Sequence, residues 1–206
     1  AFGMQASESA HFADILAMAS NKSNTNVSLM GGSFKYAAAA AGALGYNAED
    51  VAIALGLMAN SGIKGEMAGT QLRTGMLRLA SPTKDMAMII DKYGLSLTNA
   101  DGSMKSFMEM MQMYRTKLGD LTEAEQAEAV STLFGMEATA GWLAIINASE
   151  SDFDNLTQSI YNAEGAAENM AGVMIDNLSG DMTLFKSAVE GVAISLYELF
   201  SSNLRG

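Results

Sequence analysis

Residues 57–84 read LMANSGIKGEMAGTQLRTGMLRLASPTK, and the fold turns on how this stretch is read. It carries four glycines, Gly62, Gly65, Gly69 and Gly75, among the basic residues Lys64, Arg73, Arg78 and Lys84. One reading is a loop that cradles phosphate. Gly62-Ile63-Lys64-Gly65 has the Gly-x-x-Gly form of a KH-domain clamp, which joins two helices and grips a nucleic-acid backbone. That clamp needs a β-sheet beside it, and no strand pattern flanks the segment. A phosphate loop of the Walker type needs a preceding strand and a Gly-Lys-Ser/Thr, both missing here. The other reading is a connector between two helices. Gly62 then takes a left-handed conformation at a helix end, and Gly65 and Gly69 let the next helix pack closely. We read Gly62, Gly65 and Gly69 as a helix-packing hinge. Lys64 and Arg73, together with Arg78 and Lys84, are read as solvent or partner contacts, with Arg73 the best single candidate.

Outward from the loop, apolar residues recur at helical period almost everywhere. Upstream, the spacing predicts helices over Ser7–Ala19, Ser28–Leu44 and Ala48–Asn60, the last capped by Asn47 and apolar nearly all round, as a buried central helix is. Downstream, Glu66–Leu79 is followed by a helix starting at Ser81-Pro82, with Ser as cap and Pro in the first turn, and stopping at Gly94. Leu95–Met104 alternates and turns at Asn99–Gly102, so a short extended piece is expected there. Helices follow over Ser106–Gly119, from a Thr122–Glu125 capping box to Phe134, and over Met136–Asn147, Ser149–Asn162, Ala166–Leu178 and Met182–Leu204. The expected fold is all-α: a compact bundle of about 8–10 helices with a short extended turn near residues 95–104 and a long C-terminal helix. Residues 1–164 are expected to form the core domain. Residues 165–206 are expected as trailing helices that extend away from it or mediate oligomer contacts. On the last helix Ser187, Gly191 and Ser195 form a small-residue ridge suited to a close helix interface.

Composition narrows the chemistry. The 206 residues contain no cysteine and one histidine, His11, which leaves no thiolate site and no His pair for a zinc or di-iron centre. Formal net charge is −11, so the overall field repels phosphate and no direct nucleic-acid binding is expected. Asn99-Ala100-Asp101-Gly102 resembles the middle of a calcium loop, but Leu97 and Met108 fall where oxygen ligands are needed. Glu123, Glu125 and Glu128, and again Glu150, Asp152 and Asp154, sit at predicted helix starts, where acids complement the helix dipole. No catalytic residue, metal site or cofactor is expected. The methionines, 17 in all, are read mostly as core. No run approaches the ~18 apolar residues of a membrane span, and the piece reads as soluble. Because it starts at Ala1, it also reads as an excerpt or processed product.

Taken together, Gly42–Lys84 resembles the helical core region of phage tail tape measure proteins, in the minor tail protein family. The likeness rests on Leu57–Gly65 (LMANSGIKG), Ala68–Arg73 (AGTQLR) and Leu79–Lys84 (LASPTK). It continues through Asp101-Gly102, Leu133–Gly135 and Ala163–Met174 to cover roughly residues 8 to 200. Gly75 and several methionines depart from the family's usual residues. The resemblance implies a structural role in the virion: setting tail length during assembly and leaving ahead of the DNA at ejection. It implies a place in the tail tube lumen or tip. Its implied partners are other copies of the chain, tail tube and tail tip proteins, tail assembly chaperones, and the host membrane at infection. Two rivals stay open. One is a membrane-active segment built on Leu184–Phe200; the other is a peptidoglycan hydrolase.

Overall fold

The helix that precedes the glycine loop becomes the centre of the helical bundle. In the computed structural model, described for residues 8–177 and 181–182, α3 (Ala48–Asn60) starts where the Asn47 side chain accepts the Asp50 N–H at 2.8 Å. Every residue from Asp50 to Ala59 is buried. Helices α1 (Ser9–Lys22), α2 (Val27–Ala43), α4 (Gly65–Ala80), α6 (Phe107–Leu118), α8 (Thr139–Ile146) and α9 (Glu150–Tyr161) all pack on it. A helix can be surrounded this way only if its own side chains are small on several sides. Ala52, Ala54, Gly56 and Ala59 supply that, and a Cβ on Gly56 would press on Leu156 of α9 at 3.2 Å.

Two further helices of the bundle are α5 (Lys84–Tyr93) and α7 (Glu123–Phe134), with a 3₁₀ turn at Met136–Ala138 ahead of α8. Side-chain caps set most of the starts. Asn26, Asn47, Thr83, Ser106, Thr122 and Ser149 each accept a backbone N–H from the first turn of their helix, each worth about 1 kcal/mol. The Thr122–Glu125 capping box forms as its spacing predicts, and Ser106–Glu109 makes a second one. Glu109 and Glu125 both have lowered pKa values, because the Ser106 and Thr122 hydroxyls and backbone N–H groups donate to their carboxylates.

The core holds an aromatic cluster joining α6, α7 and α8. Trp142 stacks on Phe134 with ring centroids 3.8 Å apart and meets Phe107 and Tyr114 edge to face. Tyr46 stacks on Phe107 at 5.0 Å, and burial pushes its hydroxyl up to about 12. Met110 and Met111 are fully buried, while Met108 and Met113 pack partly buried against the core.

The all-α bundle stands, and the turn near residues 95–104 is extended. Thr98 and Met104 form an antiparallel bridge, closed by Asn99 N–H to Ser103 O at 2.8 Å and Lys105 N–H to Leu97 O at 3.0 Å. Two boundaries differ from expectation. Helix α5 is capped by Thr83, whose Oγ1 accepts the Met86 N–H at 3.3 Å. Pro82 therefore lies ahead of the cap, and Ser81 instead ends α4. The segment expected as one helix over Met136–Asn147 opens with the 3₁₀ turn, and the chain bends by 114° between α7 and the stretch that follows. Gly135, at φ +94°, makes that corner.

The chain divides into two compact units, Ala1–Ala166 and Ala167–Gly206. In the second, residues 167–177 are helical. The long helix expected over Met182–Leu204 lies outside the described residues beyond Met182.

Candidate functional site

The glycine loop is a backbone device, and its geometry follows from three residues. Helix α3 ends at Asn60, and Gly62 turns the chain at φ +86° with its N–H on the Ala59 carbonyl at 3.0 Å. Ile63 N–H returns to Met58 O at 2.9 Å. A Cβ on Gly62 would meet nothing within 4 Å, so the demand there is conformational and not steric. Gly65 opens α4 at φ +59°, and its carbonyl accepts the Ser33 hydroxyl of α2 at 2.8 Å. One turn on, a Cβ on Gly69 would collide with the Ser33 carbonyl oxygen. Among the described helices α2 and α4 make the most extensive pairwise contact. It is held at backbone distance by small residues on both sides, Gly32 and Ser33 on α2, Gly65 and Gly69 on α4.

The seam continues along α4 to a residue that the sequence marked only as unusual. A Cβ on Gly75 would overlap the Trp142 indole. That indole is fully buried and its Nε1–H donates to the Gln71 carbonyl at 3.3 Å. The Gln71 side chain accepts the Gly141 N–H at 2.8 Å. Thus α4 receives α2 at Gly69 and the aromatic cluster at Gly75.

The basic residues separate into two kinds. Arg73 is exposed and its side chain, among the described residues, takes part in no hydrogen bond or ion pair. Lys64 is half-buried at the cap position of α4 and makes no side-chain capping bond. Arg78, grouped in the sequence with solvent and partner contacts, belongs to the fold. Its guanidinium donates to the Thr132 and Leu133 carbonyls at 2.9 and 3.3 Å, at the C-terminal end of α7. Arg115 does the same for α8, donating to Ile145 O at 3.0 Å and Ala148 O at 2.8 Å. It also reaches Glu150 at 3.3 Å and covers the Phe153 ring at 4.5 Å. Cations at helix C-termini complement the dipole there. Ser187, Gly191 and Ser195 lie outside the described residues.

One polar cluster was not singled out by sequence. Asp50 is 1% exposed, yet its carboxylate accepts the Met108 N–H at 3.0 Å and the Tyr161 hydroxyl at 2.6 Å. It thereby joins α3 to the first turn of α6 and the last residue of α9. Burial raises its pKa, and those two hydrogen bonds oppose the rise. Nearby, His11 Nε2 and Glu49 Oε1 lie 2.7 Å apart. Among the described residues no cluster of three or more metal-ligating side chains occurs. Within the same residues no single helix is long and apolar enough to cross a membrane; only α7 and the stretch to Ile146 pass together, as the bent pair, and apart from the exposed Met136 their large apolar side chains belong to the core or pack against it.

Comparison with known proteins supplies the context that geometry does not. A family model described as phage-related minor tail protein matches residues 1–135. The chain is 35% identical over 204 residues to a tape measure protein of Pneumococcus phage Dp-1, which covers 99% of this chain and 18% of that protein. It is 29% identical over 208 residues to a probable tape measure protein of Escherichia phage P2, covering 100% of this chain and 26% of that one. The chain therefore spans about a fifth to a quarter of the length of these relatives. No solved structure matches it.

Proposed function

The chain belongs to the phage-related minor tail protein family, and on that premise we propose that it is the helical core region of a tape measure protein. In this reading it sets tail length during assembly and leaves ahead of the DNA during ejection. It sits in the tail tube lumen or at the tip, and works by shape and contact without catalysis. Its partners are other copies of itself, tail tube and tip proteins, and assembly chaperones.

The observation that carries the reading is the alignment of essentially the whole chain with two tape measure proteins. The fold is compatible with it. Helices held at backbone distance by glycine and alanine, under a net charge of −11, make a protein that does not grip phosphate as DNA passes.

Tail length tests it. Drawn out as helix, 206 residues span roughly 300 Å. In-frame excision of this segment from its parent protein is expected to shorten the tails seen by electron microscopy by up to that amount. Tails of unchanged length would contradict the ruling of length by this segment.

A further inference from the structure

The outward side of α4 carries a patch that the described residues leave uncovered. Met67 and Leu77 are 52% and 46% exposed, and Met136, on the 3₁₀ turn packed against α4, is 85% exposed. Beside Met67 lies an open groove lined by Glu66, Thr70, Gln71, Thr74 and Glu137. Large apolar side chains gathered at a polar-edged groove mark interaction surfaces on soluble proteins.

The charges on this face decide what fits it. Among the described residues Arg73 has no acidic partner and neither Glu66 nor Glu137 is in an ion pair; Glu66 is hydrogen-bonded to the Tyr36 side chain. Within one chain Arg73 and Glu66 cannot pair well, because seven residues of helix separate them by about 10 Å. They lie on either side of Thr70. A two-fold axis through Thr70 sets each Arg73 opposite Met67 of the other copy and beside its Glu66. Both signs of charge are then satisfied at once, around Thr70 at the axis with the exposed Met67 beside it. A partner of uniform charge would leave one of the two signs facing its like. We propose that the outer face of α4 is a two-fold interface between two copies of this chain.

The inference deepens the reading of a protein that acts through contacts with its own copies. Its test uses the purified chain alone, so its failure leaves the tail assignment intact, and tails of unchanged length leave the interface intact. The chain has no cysteine, so a single Thr70→Cys substitution reports on the axis, where a residue meets its own counterpart. Met88→Cys on α5, at a site 62% exposed, is the control. Under mild oxidation Thr70→Cys is expected to form disulfide-linked dimer about tenfold faster than the control. In sedimentation equilibrium Arg73→Glu is expected to weaken association at least about tenfold, because the reversal acts twice in a two-fold interface. Mixing it with Glu66→Arg/Glu137→Arg is expected to restore a heterodimer. Wild-type chain that stays monomeric up to about 100 μM, equal cross-linking at both cysteines, or an unaffected Arg73→Glu variant would overturn the proposal.

Discussion

Helix α4 presents two faces of opposite character. Inward it offers Gly65, Gly69 and Gly75, all buried, and each meets a neighbour where a side chain would intrude. Outward it offers Met67, Thr70, Arg73 and Leu77, all exposed. Residues of similar type therefore do opposite work one turn apart. Arg78 ties down the end of α7, whereas the Arg73 side chain has no hydrogen-bond or ion-pair partner among the described residues. The inner face makes the fold; the outer face carries the proposed interface.

Substitutions that set the two faces against each other sharpen this contrast. The largest effect is expected at the aromatic end of the seam. Trp142→Ala should cost about 3–5 kcal/mol in urea unfolding, as loss of a large buried side chain does. Gly75→Val should be damaging alone, because its branches enter the indole plane, and much less so in the Trp142→Ala background. A double-mutant cycle with coupling of about 1 kcal/mol or more is expected; strict additivity would show that the two do not share space.

The polar counterpart comes next. Asp50→Ala strands the Met108 N–H and the Tyr161 hydroxyl and should cost about 1–3 kcal/mol. Asp50→Asn separates charge from shape. Because the folded pKa of Asp50 is raised above its ordinary 3.8, the folded state binds its proton more tightly, and this carboxyl favours folding more as pH falls through the raised value towards 3.8. Glu109 and Glu125, whose values are lowered, act in the opposite sense: the stability they give is present above their ordinary value and lost as pH falls. The advantage of Asp50→Asn over wild type should therefore be greatest at pH 7 and shrink on acidification. An advantage that grows on acidification would reverse the sign of the account.

Arg78→Ala removes two bonds to carbonyls at a helix end and should cost about 1–2 kcal/mol. Arg73→Ala on the outer face should stay within about 0.5 kcal/mol in monomer stability. The glycine loop gives the same kind of contrast. Gly62→Val forces a β-branched residue to φ +86° and should lower the melting temperature clearly, by a cost of order 1–3 kcal/mol. Lys64→Ala should change it little. Equal melting temperatures for Gly62→Val and Lys64→Ala would refute the turn's backbone demand.

Much of this architecture was legible because its signals are local. Asn47, Thr122 and Ser149 announce helix starts within three residues of the groups they cap, and the apolar surround of Val51–Met58 announces a central helix. Ser81-Pro82 misled because Thr83 carries an equally good hydroxyl two positions on, and only the Met86 N–H decides between them. What stayed hidden depends on partners far along the chain. Nothing near Gly75 points to Trp142, nothing near Asp50 points to Tyr161, and Arg78 looks like Arg73 until α7 is in place. On the outer face the sequence offered Arg73 as a candidate partner contact, with nothing near it to say which partner.

The sign of a single methyl group is the most direct test of the seam. In a helix, Gly→Ala is favourable by up to about 1 kcal/mol when nothing opposes it. At Gly31 of α2, where a Cβ meets nothing within 4 Å, urea unfolding should show Gly31→Ala more stable than wild type. At Gly69, where the Cβ meets the Ser33 carbonyl, Gly69→Ala should be less stable. If both variants were stabilised, the α2–α4 approach would not be what glycine is there to allow, and the account of this fold as a glycine-spaced helix assembly would be wrong.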